Sequence, residues 1–371
     1  MTELERFLTV VRFESPDYWP QINAWGLGYV HSGGLIKLHQ EGLPEKVHDL
    51  ETWLDYWGQC GFEDVGGIGR DAPGIRSERW VEEGFEFVRS ETGAFTRQVL
   101  NNENAYSMPE FIEFDVRDRA SWEKFRELST PRAKSDIEDQ AERLDGRTRP
   151  ARVSAGSTWG RVRSWMGPER ALLAVYDDPE LVREMIEWQT WMFEEFTLPA
   201  IERYRPETIS MWEDFCYNHG MMISPAMFEE FCAPHYRRVA EVGRDCGAAL
   251  LIVDSDGKVD EYCQILEGLG LNGCWPMEQV CGNDLLAYRE EQPDFIFAGG
   301  IEKEVCNTGN GHRIESELIP RVANMLEKGG YFPMFDHALQ TDVGFSELCR
   351  CMTLLHEICG SEHLGEFPRT Q

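Results

Sequence analysis

The stretch LLIVDSDGKVD, residues 250–260, runs four apolar residues straight into two carboxylates one residue apart. An unbroken apolar run of this length reads as a strand buried on both faces, the kind found in parallel sheets. Side chains at i and i+2 of a strand point to one face. Asp254 and Asp256 are therefore expected together, at or just past the strand's end. Like charges that close repel unless a metal, a cationic partner, a proton or water offsets them.

Working outward, similar runs recur: ARVSAGS (151–157), TISMWED (208–214), LNGCWPME (271–278), DFIFAGGI (294–301) and YFPMFDH (331–337). Amphipathic segments lie between them, including PELVREMIEWQTWMFEEFTLPAIERY (179–204) and ELIPRVANMLEKGG (317–330). Several begin at Asp, Ser or Pro and end near Gly, as helix capping expects. Alternating strands and helices predict parallel β/α units, and the six runs fit a (β/α)8 TIM barrel. The first two strands would then lie in the N-terminal third, which carries less regular patterning.

The N-terminal third has its own signals. RWVEEGFEFVRSETGAFTRQVL (79–100) alternates apolar and polar residues around Glu91-Thr92-Gly93, which predicts a β-hairpin. SWEKFRELST (121–130) predicts a short helix, and SDIEDQAERLDGRTR (135–149) a polar helix and turn. The expected organisation is one domain, with residues 1–104 as an N-terminal cap and hairpin region and 105–371 as the main barrel.

The predicted strand ends share a second pattern. They carry Glu213 and Asp214, Asp254 and Asp256, Glu278, and Asp336 with His337. In a barrel these ends converge on one face, where catalytic groups sit. One acid at such a place is ordinarily a helix cap. Acids at four strand ends ask for a further explanation. Arg161 and Arg163, after GSTWG, are the cations best placed by sequence to meet a substrate carboxylate or phosphate, or to pair with the rim acids. His219, in YNHGMM, follows the TISMWED strand and would line the mouth.

Bulk composition narrows the function. The 371 residues are 42 % hydrophobic, enough for a full core, and 66 acidic against 36 basic side chains give a formal charge of −30. Such a surface repels phosphates, so neither nucleic acid nor an anionic membrane is expected as a partner. Eleven cysteines with no CxxC pair do not form a disulfide framework and point to a reducing, cytoplasmic setting. There is no apolar segment of transmembrane length and no signal-peptide pattern.

Two local motifs fail on their spacing. An apolar strand followed by DxDG resembles the nucleophile loop of haloacid-dehalogenase-type phosphatases, but Lys258 follows Gly257 where those enzymes usually carry Thr. An EF-hand loop begun at Asp254 would need Gly at its sixth position and Glu at its twelfth, where Val259 and Ile265 stand.

Blocks in order along the chain resemble the superfamily of uroporphyrinogen decarboxylases and cobalamin-dependent methyltransferases. They are GSTWGRVRSWMGPERALLAVYDDPELVREM (156–185), MWEDFCYNHGMMISPAMFEEFCAPHYRR (211–238), LLIVDSDG, GCWPMEQVCGND (273–284), FAGGIEKEV (297–305) and GGYFPMFDHALQTDVGFSEL (329–348). The resemblance implies a TIM barrel and one of two chemistries, cofactor-free decarboxylation or zinc-dependent methyl transfer from a corrinoid protein. The true decarboxylases have an arginine-rich N-terminal segment. Here ESPDYWPQINAWGLGYV (14–30) has no Arg, which sets this chain apart from them. The methyltransferases carry His-x-Cys where this chain has Asp254 and Asp256, and a late Cys near Asp336 and His337. The resemblance thus implies an oxygen- and nitrogen-rich site in place of a sulfur-rich one.

These lines converge on a set of expectations. Asp254, Asp256, His337 and Glu278 would hold a divalent metal such as Zn, Mn or Fe. The alternative is that the aspartates hydrogen-bond a polar substrate or an Arg. His337, Glu278, Asp214 and Glu213 are the candidate catalytic groups, and Arg161, Arg163, His219, Trp25 and Tyr29 the candidate substrate contacts. Trp19 and Tyr18 would join Trp25 and Tyr29 over the mouth. Cys216, Cys274 and Cys281 flank the acidic ends and could supply a soft donor. The leading function is methyl transfer between a small methylated substrate and a corrinoid (cobalamin) protein. The runners-up are a decarboxylase or lyase acting on a small acid and a corrinoid or ligand binder without catalysis. A homodimer is compatible with the sequence.

Overall fold

A computed structural model describes residues 1–24, 32–65, 77–90, 93–99, 109–130, 144 and 146–370. Trp25 and Tyr29, and most of the predicted 135–149 helix, lie outside these residues. The strands are, in chain order, β1 (Glu63–Asp64), β2 (Glu78–Glu82), β3 (Phe85–Arg89), β4 (Ala94–Val99), β5 (Glu110–Phe114), β6 (Ala151–Ser154), β7 (Thr208–Trp212), β8 (Cys216–Tyr217), β9 (Gly220–Met221), β10 (Leu250–Asp254), β11 (Gly273–Trp275), β12 (Ile296–Ile301) and β13 (Tyr331–Phe335). Seven of them form a parallel sheet in the order β1-β6-β7-β10-β11-β12-β13. All residues of β10, β11, β12 and β13 are buried. This is why their sequences run apolar without alternation: helices cover one face, and the other faces the sheet's own concave core.

One further chain pass prolongs the sheet. Ile22 bridges Cys60 in parallel, with Cys60 N–H donating to Gln21 O at 2.8 Å and Asn23 N–H donating to Cys60 O at 2.9 Å. On the same segment Glu63 and Val65 donate to Pro150 and Arg152 on the side of β6. Residues an odd number apart direct their backbone groups to opposite edges of a strand. The Ile22 pass therefore lies on the far side of the Cys60–Val65 segment from β6. Eight parallel passes follow one another around this sheet. Among the described residues no ladder joins β13 to the Ile22 pass; they form a curled parallel sheet, and closure into the expected barrel is not among the pairings described. Two of the eight passes, at Ile22 and β1, come from the first 65 residues.

The 79–100 stretch holds more than the single predicted hairpin. It forms β2, β3 and β4, and with β5 makes a four-stranded antiparallel sheet. The extra turn is Glu83-Gly84, both at positive φ. Trp80, Phe87 and Phe95 stack on one face at centroid distances of 5.3–6.0 Å. The other face reaches the body through Phe114, whose ring lies 2.5 Å from where a Cβ on Gly167 would stand, so Gly167 cannot carry a side chain. Val116 N–H also donates to Trp165 O at 3.1 Å.

Helix ends follow their capping residues. Asp178 accepts from Leu181 N–H at 3.1 Å ahead of Pro179, and Gly247 closes Ala233–Cys246 in the left-handed region. The last helix, Phe345–Cys359, buries His356 completely, with Nδ1 2.7 Å from Ser361 Oγ and Nε2 2.8 Å from Trp57 O. No helix of the described residues is long and apolar enough to cross a membrane.

Burial holds the pKa of His356 down to about 4, and that of the buried His235 likewise. Both are depressed below the unfolded value of about 6.5, so the unfolded chain takes up protons that the fold refuses. Their stabilisation is complete above about pH 6.5 and is lost as the pH falls toward about 4, by up to about 3 kcal/mol per group. Urea denaturation of wild type against His356→Gln across pH 4–8 measures this. The variant should lose a clear part of the acid slope. An identical slope in both proteins would remove His356 from the account.

Candidate active site at the carboxyl edge of the sheet

The strand β10 ends at Asp254, and there the backbone leaves the pleat. Ser255 is fully buried and its Oγ accepts the N–H groups of Phe215 and Cys216, each at 2.9 Å. Gly257 takes φ +84° where a Cβ would meet the Tyr217 backbone at 2.6 Å. This turn separates the two aspartates that strand periodicity would have paired. Asp254 stays buried, 6 % exposed, and its carbonyl accepts from Glu213 N–H (3.0 Å) and Asp214 N–H (2.9 Å). Asp256 swings outward to meet groups from the neighbouring strands.

Three of the expected residues come together there. One donor atom each from Asp256, Glu278 and His337 lies within 4.8 Å of the other two. His337 Nε2 is 3.4 Å from Asp256 Oδ1 and 3.9 Å from Glu278 Oε1. These residues follow β10, β11 and β13, whose C-terminal ends share one edge of the sheet. Glu278 is fixed by Gly257 N–H, which donates to its Oε2 at 2.8 Å. Side-chain exposures of 26 % for His337, 15 % for Glu278 and 45 % for Asp256 leave the group open to ions and small molecules from solvent. Asp254 is not a member of the group.

The field at this spot is strongly negative. Burial alone would lower the pKa of His337, but the Asp256 and Asp336 carboxylates together push it up to about 10. Asp336 is 3.6 Å from His337 Nδ1, too long for a hydrogen bond but close enough for its charge to act. Asp336 itself is buried and accepts Gln279 N–H (3.1 Å) and Lys303 N–H (3.2 Å), so it ties the loops after β11 and β12 to β13.

Glu213 and Asp214 have different places. Glu213 is fully buried and accepts four donors: Ser157 Oγ (3.1 Å), Thr158 N–H (2.6 Å), Thr158 Oγ1 (2.8 Å) and Gly160 N–H (3.0 Å). Burial raises its pKa and these donors oppose the rise. Expected among the catalytic groups, Glu213 instead holds the N-terminal turn of the helix Trp159–Met166, out of reach of a substrate. That helix carries Arg161 and Arg163. Asp214, at φ +49°, turns back to pair with Arg163. Burial raises the pKa of Asp214, Arg163 opposes this, and the nearby Asp256 adds to it. The guanidinium carbons of Arg161 and Arg163 lie 6.0 and 5.9 Å from the ring centroid of Trp212. Arg161 is 8 % exposed.

The remaining candidates divide. His219 is exposed on the β8–β9 hairpin, edge-on to Tyr217 at 5.8 Å. Tyr18 and Trp19 precede the Ile22 pass and so sit at the opposite, amino-terminal edge. There Tyr18 packs under Arg6 at 3.8 Å, and Trp19 N–H donates to Cys359 O at 2.9 Å. They do not cover the acidic edge. Cys216 and Cys274 are buried. Cys281 is half-buried, 3.2 Å from Glu278 Oε2, and burial followed by the Glu278 carboxylate pushes its pKa up to about 12. Sequence reasoning missed Ser255 and Asp336 as organisers of this edge. A small polar residue between two acids at the end of an apolar run was the available signal for the first.

No protein-family profile and no curated protein sequence matches this chain. A solved structure described as a methyltransferase from Methanosarcina mazei does match. It superposes with a TM-score of 0.60 over 98 % of this chain and 99 % of that one, at 12 % sequence identity. A likeness at that identity is one of fold.

Replacing Glu213 by Ala would strand four donors at a fully buried position. The expected loss of stability is about 3 kcal/mol or more, with Glu213→Gln milder because its amide oxygen still accepts. Urea unfolding of the two variants checks this. An Ala variant as stable as wild type would show that the helix Trp159–Met166 needs no such anchor.

Proposed function

We propose that this chain is a (β/α)8-barrel methyltransferase moving a one-carbon group between a small methylated substrate and a corrinoid carried on a partner protein. The observation that carries the reading is the convergence of Asp256, Glu278 and His337 from three strand ends on one point. The eight parallel passes and the full-length likeness to a protein named as a methyltransferase support the architecture and the class. In this reading the curled sheet is a closed barrel and the acidic edge is its mouth.

The donor set suits a divalent cation: two carboxylates and an imidazole are the donor types that hold ions such as Zn, Mn or Fe. Such an ion, when bound, supplies Lewis acidity that polarises the heteroatom bearing the methyl group. The protein's residues do the rest. Asp336, 3.6 Å behind His337 Nδ1, acts on the imidazole through its charge. Gly257 N–H holds Glu278 toward the point of convergence. Asp214 is the proton donor for the atom that loses the methyl group. Burial raises its pKa, Arg163 opposes the rise, and the same Arg163 fixes its position. Trp212, flanked by Arg161 and Arg163, offers the substrate a flat wall. Decarboxylation is the weaker reading, because Arg163 would have to exchange Asp214 for the substrate's carboxylate.

Metal analysis by mass spectrometry on wild type, Asp256→Asn/Glu278→Gln and Asp254→Asn is the test. Near-stoichiometric metal is expected in wild type and in Asp254→Asn, and a loss of more than tenfold in the double variant. Mixing the loaded protein with a methylated substrate and a corrinoid should then change the corrinoid absorbance. Metal-free wild type after soaking in Zn, Mn and Fe salts would overturn the site. Carbon dioxide release without corrinoid would overturn the chemistry.

A further inference from the structure

Away from the acidic edge, we infer that this protein binds a small organic cation, one with an alkylated ammonium group, in a cavity between two of its helices. The helices are Arg119–Ser129 and Pro179–Met192. The cavity measures about 490 Å3, opens widely to solvent, and is lined by Glu123, Arg126, Glu127, Thr130, Trp188 and Trp191. Small-molecule sites run from roughly 300 to 1,000 Å3. None of the lining residues belongs to the acidic edge, so the inference is independent of the metal and methyl-transfer readings.

Helical spacing sets the chemistry of the walls. Glu123 and Glu127 stand four residues apart and Trp188 and Trp191 three apart, so each pair shares one face of its helix. Carboxylates from one helix and indoles from the other thus line one space. Trp188 is held edge-on by Trp122 at 5.5 Å and by Trp165 at 5.7 Å. Trp191 is 42 % exposed, and its ring meets Phe196 edge-on at 5.8 Å. Phe196 lies in the π-helical turn Phe193–Thr197, a widened turn of the kind common at functional sites.

Charge decides which ligand these walls take. Arg126 is the one cation in the lining, and it is already answered: it donates to Glu184 Oε1 at 2.8 Å. Arg119 shares that carboxylate, and Trp122 Nε1–H donates to it at 3.2 Å. Among the described residues no hydrogen bond or ion pair answers Glu123 or Glu127. Like charges at this helical spacing repel, and a cation beside them relieves the repulsion. The face of an indole attracts the same cation. An anion would meet two carboxylates, and a neutral apolar molecule would strip them of water without giving them a partner. A bare metal ion would find no oxygen ligands on the indole side. An alkylated ammonium satisfies both walls, its charge toward the acids and its carbon surface against the rings.

Isothermal titration calorimetry of the full-length protein with choline, and with its neutral isostere 3,3-dimethyl-1-butanol, tests the site. Choline should bind wild type saturably, and the isostere at least tenfold more weakly, because it keeps the shape and lacks the charge. Trp191→Ala and Glu123→Gln/Glu127→Gln should each weaken choline at least threefold. Asp256→Asn/Glu278→Gln should bind choline as wild type does. Absence of saturable choline binding, or equal binding of the isostere, would overturn the cation site. Binding that survives both cavity variants and falls in Asp256→Asn/Glu278→Gln would move the cation to the acidic edge and overturn this cavity. Circular dichroism of each variant separates lost binding from lost folding, and Trp191→Leu, which keeps apolar bulk without the ring, stands in if Trp191→Ala unfolds.

Discussion

Charge burial at the end of an apolar sheet is the constraint on which this molecule turns. Glu213, Asp214, Asp254, Asp256, Glu278 and Asp336 all fall at the carboxyl ends of strands buried on both faces. A buried carboxylate needs donors, a counter-ion or a proton. Three of these find their answers within the fold. Glu213 takes four donors from the loop before the helix Trp159–Met166, and Asp336 takes two backbone amides from adjacent loops. Asp214 takes Arg163. The loops between strands are thereby fastened to the sheet through its acids. What is left over, Asp256 and Glu278 facing His337, is the part whose charge the fold itself does not neutralise.

This sorting explains which features the sequence disclosed. The strands from Ala151 onward were legible because parallel burial leaves a continuous apolar run, and their ends were legible because the acids stood there. The Ile22 pass and β1 were not, since a single bridge and a two-residue ladder carry no period. The extra turn at Glu83-Gly84 was masked by apolar residues that continue their alternation on both sides of it. The roles of Glu213 and Asp254 were out of reach for another reason. Period-two reasoning holds only while the backbone stays in the pleat, and at Ser255 it does not. Two adjacent acids, Glu213 and Asp214, end on opposite errands because Asp214 enters the left-handed region, where Asp is better tolerated than most residues.

Positioning at the site is indirect as well as direct. The helix Trp159–Met166 cannot shift without disturbing Glu213, and a Cβ on Gly160 would stand 2.5 Å from Glu213 O. Arg161 and Arg163 are thus registered against Trp212 by a carboxylate that never meets solvent. On the opposite flank Asp336 joins the turn carrying Cys281 to the strand carrying His337. Each wall of the acidic edge is set by one buried acid.

The residual charge also bears on what the site selects. The Asp256 and Asp336 carboxylates push the pKa of His337 up to about 10 against its burial, and Glu278 stands 3.9 Å away. Three negative groups against one proton leave two charges unanswered. In the proposed reading, a divalent ion with neutral imidazole in the proton's place would leave one. A metal-binding imidazole must give up that proton, and this competition would weaken a lone histidine site. Here Asp256, a carboxylate that raises the cost of deprotonation, is also a ligand proposed for the ion. The two effects draw on the same charges at similar distances, and the ion's second unit of charge decides between them.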